Sequence, residues 1–163
     1  MDRIDDIDSK ILELLQANGR MKRNAIAEVV GLSVPSVSER MRKLEERGVI
    51  MGYHAVADAK RLHFDITAFI RVGVDGSAFY PEFVNAAVEI PEVQEVHSIT
   101  GEGSHILKVR TRNTTSLERL LSRVQSLPGV HGTSTSIVLS TFKETRTLEA
   151  SPMELIEYEG EPA

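Results

Sequence analysis

The apolar rhythm of this 163-residue chain changes once, near residue 64, and that change constrains the fold more than any bulk property. Up to residue 50, apolar side chains return every three or four positions, as helices with one buried face require. Ile4, Ile7, Ile11, Leu14 and Leu15 mark a first helix. Asp5 and Asp8 stand at its start, where carboxylates accept orphan amide hydrogens and favour the positive end of the dipole. Asn18-Gly19 supplies a stop. A second, shorter helix covers 24–30 and buries Ile26 and Val30, with Lys22 and Arg23 as poor caps. A third opens at Ser33, a good N-cap, with Pro35 in the first turn, where a missing N–H costs nothing. Val37, Met41 and Leu44 form its buried stripe and Gly48 ends it.

The run "VIMGYHAVAD" that follows is rich in β-formers and reads as an extended connector or strand over 51–63. Beyond it, strands alternate with helices. "ITAFIRVGV" places Ile66, Ala68, Ile70, Val72 and Val74 on one face, a period of two. Phe79, Phe83, Ala86 or Ala87 and Ile90 fall at helical spacing before Pro91. "VQEVHSIT" and "HILKVRTR" are strands joined by the glycine-rich "GEGS". Leu117, Leu120, Leu121, Val124 and Leu127 mark another helix, stopped by Pro128-Gly129, and "GTSTSIVLSTF" is a last strand. The order β-α-β-β-α-β is the ferredoxin-like, ACT-like arrangement. The expected class is α+β: a helix-turn-helix, winged-helix-like domain over 1–50, a linker strand over 51–63, a ferredoxin-like domain over 64–150 and an acidic tail over 151–163. The tail is expected to be ordered only where a partner holds it.

Composition narrows the function. Zero cysteine excludes disulfides, thiolate catalysis and cysteine-ligated zinc. The acidic opening "MDRIDDIDSK" lacks the basic start and apolar middle of a signal peptide, and no run approaches the ~20 apolar residues of a membrane span. A cytoplasmic protein is expected. The formal charge of −5 argues against nonspecific coating of nucleic acid, yet residues 20–47 hold seven Lys/Arg against four Glu. Salt screens charges beyond ~8 Å, so a polyanion responds to the patch it docks against as well as to the total.

That patch fits a DNA reader. Ala27 is small where two helices approach, Gly31 can take the positive φ of a tight turn, and Val37 anchors the next helix. With Val37, Met41 and Leu44 inward, Pro35, Ser36, Glu39, Arg42 and Lys43 face outward and Arg40 lies on their flank. A major groove admits one helix, whose N-terminal residues reach the base edges. Ser36 and the amides near Ser33 suit phosphate, Arg40 and Lys43 suit phosphate or guanine, and Glu39 suits cytosine. Arg23, Ser33, Ser38 and Arg42 complete the candidate interface. The competing reading is a small bundle with solvated faces, in which Arg40 and Arg42 pair with nearby glutamates.

The pieces "ID..IL..L...GR" and "A..VGLS...V..R...LE..GVI.GY" resemble the Lrp/AsnC family, the leucine-responsive and feast/famine regulators of bacteria and archaea. "GEGSHILKVR" and "LPGV" carry the resemblance to about residue 148. It implies a regulator of transcription, not an enzyme, with no cofactor. Its implied partners are double-stranded DNA at a near-palindromic operator, a second copy of the chain with onward assembly to octamers, and an amino acid or related effector bound between dimers. It also implies a bacterial or archaeal, nucleoid-associated location.

In that family the first hairpin of the regulatory domain reads close to G-D-x-D-Y. Here it is Gly101, Glu102, Gly103, Ser104, His105, so one carboxylate remains while Ser104 and His105 replace the second acid and the aromatic. Ser104 would hold an ammonium less well than a carboxylate does. Thr133 and Thr135 are the further residues expected to line the pocket from a neighbouring subunit. An α-amino acid, another small molecule, or a plain tight turn without ligand all remain open. The Gly-x-Gly leads into a strand and is no dinucleotide fingerprint. The five histidines include no i, i+4 helical pair, so metal is not expected. His97 and His105 across the hairpin are the residues that a tetrapyrrole-decarboxylase reading of the same two-domain plan would use. A ligand-sensing assembly module without DNA is the third reading.

Overall fold

The computed structural model describes residues 3–156. Contacts divide the chain into two compact units, with the breaks at Val56/Ala57 and Lys143/Glu144. Residues 144–156 therefore pack with the N-terminal unit, and the second compact unit ends at Lys143.

The N-terminal unit holds a short strand β1 (Arg3–Ile4) and helices α1 (Asp6–Ala17), α2 (Arg23–Val30) and α3 (Val34–Glu46). Asp5 caps α1 in a capping box with Asp8, each side chain serving the other's backbone amide. Helix α2 begins at Lys22 with no side-chain cap. Gly31 then turns the chain at φ 70°, a left-handed value that a residue with a Cβ reaches only at a cost of about 1–2 kcal/mol. Ser33 caps α3 by accepting from the Ser36 amide at 3.3 Å. Ile11, Ile26, Val37 and Leu44 are fully or almost fully buried where the three helices meet, and Ala27 and Met41 complete that contact. Burying each large aliphatic contributes roughly 1.5–3 kcal/mol.

The chain's far end closes this unit. Strand β6 (Met153–Glu154) pairs antiparallel with β1, Arg3 opposite Glu154 and Ile4 opposite Met153. Gln16 receives the Leu148 amide at 2.7 Å and donates to its carbonyl at 2.9 Å. Ala150 and Leu155 pack on the three-helix core. The partner that orders the start of the tail is thus the chain's own N-terminus; the remainder of the acidic run, 157–163, lies outside the described residues.

In the second unit, β2 (Ile66–Val74), α4 (Tyr80–Val88), β3 (Val93–Ser98), β4 (His105–Thr111), α5 (Thr114–Gln125) and β5 (Val130–Ile137) follow in the expected order. They form one antiparallel sheet ordered β3-β4-β2-β5, the ferredoxin-like permutation. Ala68, Ile70, Val72 and Val74 point inward against Phe83 and Ala87 of α4 and Leu117, Leu120 and Val124 of α5. The intervening residues Phe69 and Arg71 are exposed on the other face. Two expectations shift. No strand forms over 51–63: apart from a single 3-10 turn at Lys60–Leu62, this run carries no regular element, and Met51 and Val56 are almost wholly exposed. β-propensity without a neighbouring strand leaves the backbone unpaired. The last strand ends at Ile137, opposite Ala68 of β2, rather than near 142; one more bond, from the Val138 amide to the Thr67 carbonyl at 2.9 Å, follows it.

Candidate nucleic-acid interface and effector hairpin

Helix α3 presents two unlike sides. Val37, Met41 and Leu44 are buried; Ser33, Pro35, Ser36, Glu39, Arg42 and Lys43 are exposed, as is Arg23 at the start of α2. The exposed polar groups differ in how far they are already engaged. The Ser33 and Ser36 hydroxyls bond each other at 2.8 Å, and Ser38, half-buried, donates to the Val34 carbonyl at 2.9 Å. Arg42 makes a forked pair with Glu39 at 2.9 and 2.6 Å and also bonds Glu46. The Arg42 guanidinium, with Lys43 behind it, holds the Glu39 carboxyl below its ordinary range. Lys43 has a looser approach to Glu39 at 3.7 Å.

Arg40 is engaged elsewhere. Its Nη1 donates to Asp5 Oδ2 at 2.8 Å and to Asp8 Oδ1 at 2.7 Å, joining α3 to the capping box of α1. The Asp8 side chain is only 10 % exposed, so the guanidinium compensates a carboxylate largely removed from water. The pair raises the Arg40 pKa, chiefly through the Asp8 hydrogen bond. For Asp5, burial pushes the carboxyl up, but the Asp8 amide and Arg40 outweigh it and the net shift is downward. The sequence offered no signal for this link: the partners lie 32 and 35 residues apart.

Arg3, Asp8, Leu32, Ser36, Glu39, Arg40, Lys43, Leu44 and Arg47 together line a cleft of about 470 Å³ beside the open side of α3. A further contact was not anticipated from the sequence. The Tyr53 hydroxyl donates to Glu45 at 2.9 Å, and burial with that carboxylate pushes the phenol up to about 12.

The hairpin between β3 and β4 is built around Ser104. Its amide donates to the Val72 carbonyl at 2.9 Å, and its hydroxyl accepts from the Val74 amide at 3.1 Å. The side chain thereby continues a ladder that β4 has left. Gly103 sits at φ 83°, and a Cβ there would lie 3.1 Å from the Val72 carbonyl oxygen, so the close approach demands glycine. Gly101 and Glu102 are exposed. His105 is fully buried, edge-on to Tyr80 and tilted against Phe83, each with ring centroids 4.8 Å away. Its Nδ1 meets the Ser104 hydroxyl at 2.9 Å, and its Nε2 is buried with no hydrogen-bond partner. Thr133 lies opposite Val72, in the same row as His105, and receives a bond from Gln125 of α5 at 3.0 Å. Thr135 lies two residues on, opposite Ile70. His97 is exposed beside Glu95 while His105 is buried, and adjacent register positions send them to opposite faces of the sheet. The two rings therefore cannot act on one substrate. Among the described residues no three His, Asp or Glu converge in a way that could hold a metal.

Burial lowers the His105 pKa below its ordinary 6.5. Between the folded and unfolded values the unfolded chain binds more protons, so stability falls as pH drops below about 6.5. The expected slope is at most ~1.4 kcal/mol per pH unit. Asp5 adds a separate loss only as pH falls below 3.8. Thermal melts between pH 7.5 and 5 check this: His105→Phe should flatten the upper limb, and an unchanged limb would assign it to another group.

A helix-turn-helix with an open, N-capped third helix, followed by a ferredoxin-like sheet with a structured glycine hairpin, defines a regulator of transcription with a DNA-binding and a ligand-binding domain. The family of winged helix-turn-helix DNA-binding domains matches residues 4–51, and the Lrp/AsnC ligand-binding domain matches 67–148. The chain belongs to the Lrp/AsnC family of transcriptional regulators. It is 39 % identical over 145 residues to the HTH-type transcriptional regulator FL11 of Pyrococcus horikoshii, covering 89 % of this chain and 95 % of that one. It is 35 % identical over 148 residues to the leucine-responsive regulatory protein of Haemophilus influenzae, with 89 % of each covered. Among solved structures, the feast or famine regulatory protein of M. tuberculosis complexed with L-methionine superposes with a TM-score of 0.84. That pair is 33 % identical over 90 % of this chain and 99 % of that one. A Neisseria meningitidis regulator in complex with L-methionine gives 0.84 at 29 % identity, over 89 % and 96 %. No helix among the described residues is long and apolar enough to cross a membrane.

Proposed function

We propose that this regulator works in the cytoplasm as a symmetric homo-oligomer, laying α3 of each copy into the major groove at half-sites of a near-palindrome about 34 Å apart. The observation that carries this reading is the open side of α3, from the Ser33 cap through Pro35 and Ser36 to Lys43, above a fully packed inner stripe. Ser33 and Ser36 bring hydroxyls and first-turn amides toward phosphate, Glu39 and Arg42 approach the bases as a preformed pair, and Lys43 and Arg23 supply charge. Ser38 and Arg40 act from behind this surface.

Each phosphate contact contributes about 0.9 to the slope of log affinity against log salt. Arg23→Ala with Lys43→Ala should lower that slope by about 1.8 per reader and weaken all duplexes alike. Gel shifts at several salt concentrations check it; an unaltered slope would move the interface off this helix.

The open face of the sheet, with Phe69 and Arg71 on β2, suits a second copy, because a one-sided sheet leaves apolar area to water. Phe69→Asp is expected to reduce the assembly state seen by sedimentation. An α-amino acid is the proposed effector. The L-methionine complexes of two relatives support it, as does the exposed Glu102 carboxylate beside the backbone of Gly101 and Gly103. Thr133 and Thr135 lie on the helix-covered side of the sheet and would act by shaping the hairpin's support. The effector regulates only through different affinities for two assembly or DNA-bound states. Calorimetric titration with L-methionine and L-leucine, repeated on Glu102→Gln, tests it: no heat with either amino acid would reject this effector class.

A further inference from the structure

The Ser104 hydroxyl has one hydrogen and three neighbours. It accepts from the Val74 amide at 3.1 Å, lies 3.2 Å from the Val72 carbonyl and meets His105 Nδ1 at 2.9 Å. A carbonyl only accepts, so the hydroxyl hydrogen goes to Val72, and Nδ1 carries a hydrogen of its own that it donates to Ser104. All three contacts are then made at once, and Nε2 is left as a bare lone pair. Its surroundings agree: Nε2 is buried without a hydrogen-bond partner, and the rings of Tyr80 and Phe83 pack on the imidazole. A hydrogen on Nε2 would be a buried donor with nothing to receive it.

This bridge fastens the glycine hairpin. The Ser104 amide donates to the Val72 carbonyl at 2.9 Å, and the Ser104 carbonyl accepts from the Ile99 amide at 2.9 Å. One residue thus ties the turn across its own base and seats it on β2. The next residue is the fully buried His105. Helix α4 sets Tyr80 and Phe83 against that ring, β2 places Val72 beside it, and β3 places Ser98 opposite. Of these neighbours only Tyr80 is titratable and none is charged at neutral pH, so no carboxylate among them compensates a second ring proton. A protonated ring gains by turning toward water. Because His105 adjoins Ser104, that departure takes the bridge with it.

We propose that neutral His105, acting through the Ser104 hydroxyl, holds the 101–104 hairpin in the shape that receives the effector, so that acidification weakens effector binding. The proposal rests on the reading of this hairpin as the effector site. The closed hairpin excludes a proton that the open one accepts, so opening gains as pH falls below the imidazole's ordinary 6.5. Full coupling costs up to about tenfold in affinity per pH unit. A free amino acid keeps both of its charges between pH 7 and 5.5, so the ligand itself adds no such trend. His105 is here a positioning residue, and Ser104 the link through which it acts.

Calorimetric titration of the full chain with L-methionine at pH 7 and 5.5 tests it, on the wild type and on His105→Phe, which keeps an aromatic ring and cannot titrate. Wild-type affinity is expected to fall about tenfold between these values, and that of the variant by less than about twofold. Equal falls in both proteins overturn the proposal, because another group then titrates; an unchanged wild-type affinity does so as well. Two further measurements need neither effector nor variant. Ring nitrogen-15 shifts at pH 7 are expected to place the hydrogen on Nδ1, and a hydrogen on Nε2 overturns the assignment. Protection of the Ser104 and Val74 amides from hydrogen exchange, corrected for the intrinsic rate, is expected to fall from pH 7 to 5.5; constant protection also overturns it. If L-methionine gives no heat at either pH, the effector reading fails, while the protection still decides whether His105 controls the hairpin.

Discussion

Arg40→Ala is expected to destabilise the N-terminal unit by about 2–3 kcal/mol, the largest effect of any substitution on the polar side of α3. Removing the guanidinium leaves Asp8 almost out of water without its counter-charge and frees Asp5 to compete for the same amides. Arg40→Lys should recover part of the loss, since a single nitrogen, Nη1, serves both carboxylates and an ammonium can donate to two acceptors as well. Denaturant titration reads the loss, and a cycle with Asp8→Asn should show strong coupling, because the double variant buries no lone charge. DNA binding separates the two roles open to this residue. A phosphate contact would take about 0.9 from the salt slope. A residue that orients α3 against α1 lowers affinity and leaves the slope alone, which is the outcome expected from its engagement with the aspartates.

Phe83→Ala is expected to cost about 3–5 kcal/mol in the regulatory unit, enough to bring a marginal domain close to unfolding. Phe83 is fully buried under β2 and β4 and supports the His105 ring. The vacated space would also let water approach the unpartnered Nε2 of His105. The loss of stability below pH 6.5 should therefore shrink in this variant. Urea midpoints at pH 7.5 and 5.5 provide both readings, and an acid sensitivity unaltered by the cavity would show that burial of His105 is not its cause.

How much was legible in the sequence depended on the range of the interaction involved. Ser33, Asp5 and Gly31 act within four residues, and their caps and turn stand where the pattern put them. The inward stripe of β2 and the helical stripe of α3 were equally plain, since burial repeats with the geometry of the element. Arg42 with Glu39 and Glu46 sits at i−3 and i+4, so its engagement was also open to reading. The link from Arg40 to Asp5 and Asp8 was not, because no local rule connects residues that far apart. Substitution of the family's acid and aromatic by Ser104 and His105 looked like a change in ligand chemistry; the structure turns both side chains to internal duties, a hydroxyl bridging two strands and a ring packed on Tyr80 and Phe83.

The sequence by itself determined the five main helices, the four strands of the sheet, their order, their buried faces and the family, because each rests on periodicities and caps that span a few residues. Tertiary structure alone decided which charged groups on α3 are already paired, which histidine is buried, and that Met153–Glu154 pairs with the chain's first strand. Those are properties of groups brought together across about 20 to 150 positions, where pairing and loss of water follow from packing that no local pattern encodes.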